Sequence, residues 1–406
     1  MNKSSVSTIL NLRFLLNFNT PTFHIQRPGN PGRFYNVKHH NMKKQLLFLG
    51  LCLLSGISAL TAQKYSNEFL NIGVGGRAHG MSGAQVALTD DITASYWNAA
   101  GLSQITAPMQ AGAMHAEWFG GVGKYDWIGF GKSLNRERGS YLALSMIRLG
   151  IDNIPYTINL VNPDGTINYD NVTEFSAADY AFMGSYAQKL KNPAFSVGGT
   201  LKVIRRKIGS FGGAWGFGAD FGAQYRKGAL MLGIQGRDLT STFNSWSFDL
   251  SEDIRATWAA TGNELPASNT EITNPSFVLG GAYRIKLGKE TSLTPALDFI
   301  WTTDGQRNVL ISSKAISIDP RLGVEADYKK FLQLRVGVGN FQRVKEDFNP
   351  NKENLSMQPN FGVGIRFGRV KIDYAFTDIG NVSAVQYSHI FSVLLDFKEK
   401  KAKGGS

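Results

Sequence analysis

The stretch AWGFGADFGAQYR, residues 214–226, decides how the rest of the chain is read. In an extended chain Trp215, Phe217, Ala219, Phe221, Ala223 and Tyr225 share one face, and Gly216, Gly218, Asp220, Gly222, Gln224 and Arg226 share the other. One face is apolar with aromatic ends; the other is small, polar or charged. A transmembrane barrel strand shows these two faces to lipid and to lumen. Half of a soluble sandwich could show them too. The pattern recurs where Phe277, Leu279, Tyr283, Ile285 and Leu287 oppose Gly280, Arg284 and Lys286, and where Phe361, Val363, Ile365 and Phe367 oppose Gly362, Gly364 and Arg366.

The connections separate barrel from sandwich. Strands are expected at about 107–117, 123–134, 140–151, 176–189, 194–206, 213–226, 229–238, 275–287, 292–302, 319–329, 331–341, 359–367, 370–378 and 386–397. Their joints alternate between short ones, such as Lys227-Gly228, Lys330 and Gly368-Arg369, and long ones at 152–175, 239–274, 303–318 and 342–358. Short turns on one rim, long loops on the other and an even strand count describe an outer-membrane barrel. The expected fold is therefore all-β, a transmembrane antiparallel barrel of about 14 strands occupying 107–397. Its last segment, YSHIFSVLLDF, resembles the terminal strand by which such barrels are recognised for insertion, and a charged tail, 398–406, follows.

Composition agrees with this class. The 406 residues hold 45 Gly and 12% aromatics but only 13 Pro. Met42 to Gln63, MKKQLLFLGLCLLSGISALTAQ, has two lysines, an apolar run and a small-residue exit, the plan of a secretory signal, expected at 42–62. Residues 1–41 then read as a mis-assigned extension. The single cysteine, Cys52, falls in the leader; a lipoprotein reading there needs a small residue where Leu51 stands. Removing 1–62 leaves 36 basic against 31 acidic residues, a charge of +5, so the pI of 9.6 implies no nucleic-acid partner.

Motifs for chemistry are sparse. After residue 62 the histidines are His79, His115 and His389, none at ligand spacing, so neither a metal nor a catalytic site is expected, and no cofactor. GVGGRA, Gly73–Ala78, matches a dinucleotide fingerprint in form but lacks the βαβ context. Asp90-Asp91 reads as a metal pair or as a turn or cap. Inward charges at Asp220, Arg226, Arg237, Arg284, Glu325, Asp327, Arg335, Arg366 and Asp373 read as pairs across a wet lumen.

Two segments remain. Loop 239–274 is rich in apolar residues, Phe243, Trp246, Phe248, Ile254 and Trp258 among them, with a short helix expected from Ser251 to Gly262. It is either a self-packed loop or a partner-binding surface. Residues 63–106 precede the first strand and hold too many small residues for a lipid-facing strand, so they are expected to plug the barrel, with Trp97 as a buried anchor bonded to a lumen group. Trp97 could instead mark the interfacial belt.

Within that segment Gly80, Met81, Gly83, Ala84, Val86, Ala87, Asp90, Asp91, Tyr96, Trp97, Asn98, Ala100, Gly101 and Leu102 form a signature. It resembles that of PorV/PorQ-type outer-membrane proteins, relatives of the FadL long-chain fatty-acid transporters; Ala99 stands where the family has proline. The resemblance implies a FadL-like barrel, a Gram-negative outer membrane, and no enzymatic activity. It also implies a function: the expectation is a type IX secretion component, and the alternative is a FadL-like transporter. A type IX secretion component would bind translocon or attachment partners and the C-terminal domains of secreted cargo through its loops. A FadL-like transporter would pass hydrophobic compounds, and would need an apolar pocket below the mouth and a side opening.

Overall fold

The computed structural model describes residues 66–398 apart from 119, 163, 261, 263, 347–348 and 379–386. The extension at 1–41, the leader at 42–62 with Cys52, and tail residues 399–406 lie outside the described residues.

Fourteen long strands form the wall. They are β1 Met109–Trp118, β2 Gly123–Asn135, β3 Ser140–Tyr156, β4 Thr173–Lys189, β5 Phe195–Ile208, β6 Gly212–Lys227, β7 Leu230–Arg237, β8 Ser276–Tyr283, β9 Thr291–Thr302, β10 Ser317–Tyr328, β11 Leu332–Glu346, β12 Asn349–Phe367, β13 Val370–Asp378 and β14 Tyr387–Phe397. Each pairs antiparallel with its sequence neighbours, and β1 pairs with β14 as well as β2, so the sheet closes. Closure leaves no edge with unpaired backbone, which lipid could not satisfy. Among the described residues no helix is long and apolar enough to cross a membrane.

The alternation sorts the side chains as the period of two requires. On β3, Leu142 and Leu144 point outward while Ala143 and Ile147 are buried inside; on β5, Leu201 is 70% exposed and Lys202 beside it 5%. Outward aromatics, Phe195, Tyr283, Tyr328, Phe331 and Phe367, lie close to the short turns, where an interfacial belt belongs.

Sequence and structure differ at the other rim. The expected loop 342–358 is mostly strand, because β11 and β12 stay paired up to Glu346 and Asn349. At 19 residues β12 is nearly twice the roughly 9–11 that span a bilayer. Above the bilayer both faces meet water, so the ladder continues with no alternation to reveal it. Loop 239–274 likewise contains a hairpin: Phe243–Phe248 pairs with the upper half of β6 and with Thr270–Ile272. The expected helix is present at Glu252–Ala260, with Ile254 and Trp258 both half-buried. The aromatic residues of this loop do not make one surface. Phe243 points outward beside Phe217, whereas Trp246 is buried, stacked on Phe248 with the Arg206 guanidinium 5.1 Å from its ring.

Candidate functional site

Residues 66–105 fill the lumen as short turns: Glu68–Asn71, Gly76–Gly80 (α1), Ala94–Trp97 (α2) and the 3-10 turn Ala99–Gln104. Nearly all of this plug is buried. The lumen-facing glycines explain how it fits. A Cβ at Gly222 would lie 2.1 Å from Asn98 Oδ1, one at Gly233 2.3 Å from the Val86 carbonyl oxygen, and one at Gly198 2.5 Å from the Ala99 carbonyl carbon. Small residues on the wall and on the plug thus meet backbone to backbone.

A chain without regular structure must still satisfy its backbone polar groups when buried, and the wall does this side chain by side chain. Asp298 on β9 accepts from the Gln85 and Val86 amides at 2.7 and 2.8 Å. Arg226 on β6 donates to the carbonyls of Ala87, Leu88 and Thr89 at 2.8–3.0 Å. Asn98 Nδ2 donates to the Val86 carbonyl at 2.8 Å and to Ala223 and Ile234 of the wall at 3.2 and 3.3 Å.

The signature residues are brought together, each with a distinct task. Met81 packs on Gly323 and Gly337, Gly80 lies against Gly362, and Gly101 has the Thr89 carbonyl where a Cβ would be. Gly83 holds φ +78°, with Arg321 closing the space beside it. Asp90 and Asp91 do not form a metal pair. Asp90 binds Arg77 at 2.7 Å, and Asp91 accepts from the Thr93 amide at 2.9 Å as a turn cap. Among the described residues no cluster of three metal-ligating side chains exists. Asn98, before Ala99, is extended at φ −169°, ψ 104°, and its side chain accepts from the Ala100 amide.

Trp97 is a buried anchor, 4% exposed. Its Nε1 donates to the Val74 carbonyl at 2.8 Å, a group of the plug itself and not of the wall as expected. Tyr96 packs edge-on against it, and its hydroxyl donates to the Leu70 carbonyl. Arg237 lies 5.1 and 5.7 Å from the two ring centres. The GVGGRA segment is the turn leading into α1, with Gly73 and Gly75 at positive φ.

The lumen is asymmetric. Against β1–β5, β13 and β14 the plug buries an apolar seam that includes Ile92, Leu102, Met114, Trp127, Ile147 and Ile390. Most of the inward charges lie towards the other strands and many of them pair, with Lys202 on β5 and Asp373 on β13 at the border, whereas Arg237 and Arg284 make no ion pair among the described residues. Arg77 of α1 bridges Asp90 and Glu325; Glu325 also binds Arg335 at 2.7 Å, and Arg335 binds Asp373 at 2.7 Å. Lys202 lies between Asp220 and Asp238. Arg77 was not visible as a functional residue in the sequence, because a lone Arg in a glycine-rich turn carries no periodicity.

Two cavities face the long-loop side. One of about 300 Å³ is lined by Ile72, His79, Trp97 and Trp118 together with polar groups, and the Trp118 indole N–H has no partner there. A second, about 320 Å³, is polar and shares Asn71, Arg321 and Asn340 with the first. Asn340 has φ +51° at a bulge in β11, which turns the strand here. The ladders run along most neighbouring pairs, but that of β10 with β11 stops at Leu322 opposite Val338, so Ser317–Arg321 and the bulged stretch of β11 beside the first cavity are not paired with each other. An Asp–His contact does occur, His115 Nδ1 to Asp126 Oδ1 at 2.7 Å, but on the outer face, with Glu117 and Arg148 for company.

His79 donates to the Gly73 carbonyl at 3.2 Å. Burial pushes its imidazole down to about 4, partly offset by that bond and reinforced by Arg321. A depressed folded value means that the group stabilises the plug above the unfolded value of about 6.5 and loses this as pH falls towards 4, a swing of roughly 3 kcal/mol. Asp90 acts only lower. Burial raises it, but Arg77, Arg226 and Lys371 outweigh this and hold it at about 2, so its contribution fades below the usual carboxylate range. We expect protease cleavage within 66–105 to rise several-fold between pH 7 and pH 4.5, and the rise to be blunted in His79→Gln. An equal rise in that variant would remove His79 from the account.

No protein-family model matches the chain, and no curated protein matches it. Similar solved structures include the CymD monoaromatic hydrocarbon channel (13% identity, covering 81% of this chain and 98% of that chain, TM-score 0.49). They also include a Pseudomonas aeruginosa FadL homologue (13%, 80% and 98%, TM-score 0.46) and the Pseudomonas putida toluene transporter TodX (12%, 80% and 98%, TM-score 0.47).

Proposed function

We propose that this protein is an outer-membrane transporter that admits small, largely apolar compounds from the long-loop side, with the N-terminal plug as its gate. The observation that carries this reading is the cavity at Ile72, His79, Trp97 and Trp118, which adjoins the polar mouth and has the plug as its floor. At about 300 Å³ it is at the small end of ligand pockets, ample for a one-ring compound given that about 150 Å³ holds benzene. Many of the lumen charges are neutralised in pairs, Arg77 with Asp90 and Glu325, Arg335 with Glu325 and Asp373, and Lys202 with Asp220 and Asp238. Plug residues Ile72, His79, Ser82, Gly83 and Trp97 line this cavity, so the route inward through the lumen requires the plug to shift.

The test is a titration of the purified barrel with benzene and with a long-chain fatty acid, following tryptophan fluorescence. Saturable binding of the ring compound, weakened at least tenfold by Gly339→Leu, is the expected result. Gly339 lines the cavity and its Cβ would meet neighbours only at 3.4 Å or more, so leucine fills space without a backbone clash. Absence of saturable binding to either compound would overturn the reading.

A second reading, a type IX secretion component, is supported by the likeness of residues 80–102 to PorV/PorQ-type proteins and by the exposed hairpin and helix of 243–272. In it the loops bind cargo C-terminal domains or translocon and attachment partners. Co-purification of such proteins from the native membrane, together with failure of the titration, would favour it.

A further inference from the structure

The short-turn rim opens into a vestibule of about 1060 Å³ that neither reading uses. In barrels of this plan that rim faces the periplasm. Nine of its lining residues are Lys or Arg and four are Asp or Glu. The acids are already engaged: Glu325 with Arg77 and Arg335, Asp90 with Arg77, Glu290 with Lys329, and Asp327 through hydrogen bonds to Lys330 N and Gln333. Arg284, Lys286, Lys289 and the Lys330 side chain have no ion pair among the described residues. They lie on two separate turns, β8–β9 and β10–β11. The floor is short of acceptors as well, since Arg335 Nη2, fully buried, and Arg226 Nε have no hydrogen-bond partner.

Cations spread round a water-filled mouth with low-dielectric walls create a focused positive potential. A single phosphate group could touch one or two of them. An extended chain, with side chains at about 3.3 Å intervals, could meet them in series. We propose that this vestibule is the docking site for an acidic peptide segment of a periplasmic protein, its carboxylates taking up Arg284, Lys286, Lys289 and Lys330. Docking there does not depend on which solute, if any, passes the plug.

The experiment uses the full chain in lipid nanodiscs and a fluorescent peptide of alternating Glu and Ser, read by anisotropy. Saturable binding is expected, weakening at least tenfold from 50 to 300 mM NaCl because exposed charges are screened. The double variant Arg284→Glu/Lys286→Glu should lose at least tenfold, and Lys289→Gln/Lys330→Gln, confined to exposed turns, should lose several-fold with the fold intact. Equal binding of a Ser/Gly peptide, or unchanged binding in both variants, would overturn the proposal. So would half-displacement by inorganic phosphate at a concentration no higher than that of the peptide, which would assign the site to a simple anion.

Discussion

Arg335→Met is expected to destabilise the protein by about 3–5 kcal/mol, the cost of breaking a buried ionic network from one side. Arg335 has no exposed side-chain surface and holds Glu325 through Nε and Asp373 through Nη1, both at 2.7 Å. Methionine fills much of the volume but leaves Asp373 buried with only Lys371, 3.5 Å away, and Glu325 with only Arg77. Arg335→Lys should recover only part of the loss, because a single ammonium lacks the planar fork that places Nε on Glu325 and Nη1 on Asp373. By contrast Arg343→Ala, which removes an exposed pair with Glu353 at 3.8 Å, should change stability by less than about 0.5 kcal/mol. The measurement is the urea midpoint of refolding into lipid vesicles. A shift for Arg335→Met no larger than that for Arg343→Ala would refute the network's role.

Gly222→Leu is expected to unseat the plug while leaving the wall intact. A side chain at this position enters the space of the Asn98 carboxamide, since a Cβ alone would lie 2.1 Å from Oδ1. The clash breaks the Asn98 hydrogen bonds to Val86, Ala223 and Ile234, at about 1 kcal/mol each, and Gln224 and Arg226 on the same strand lose their register with 86–89. The ladders of β6 with β5 and β7 use backbone groups that the substitution does not touch. In planar bilayers the wild-type protein should stay closed, and Gly222→Leu should show discrete conducting steps while keeping the gel mobility of a folded barrel. Asn98→Ala, which removes the bonds without a clash, should conduct less often. A silent Gly222→Leu barrel would mean that the plug tolerates the intrusion or that the lumen is closed by something else.

The wall was legible because its rule is local. Once lipid lies on one side and water or plug on the other, residues such as Trp215, Phe217 and Phe221 against Gly216, Gly218 and Gly222 admit one orientation, and a period of two carries it along each strand. The plug as an element was legible from its small residues. What the sequence hid are the partners. Arg77, Asp298, Gln224 and Trp118 lie far apart along the chain and follow no period, and their meeting depends on the shear of a closed barrel and on where an irregular chain turns inside it. The same limit explains Trp97, placed inside by the sequence but bonded to Val74 rather than to the wall, and the aromatic residues of 243–258, which share a loop in sequence yet divide between two faces once Phe243–Phe248 becomes a strand. The sequence by itself determined which faces meet lipid, because that choice is made residue by residue. The tertiary structure alone decided which charges pair, which glycines receive the plug and where the vestibule and the two cavities lie, because those are properties of closure, and closure joins residues that no local pattern connects.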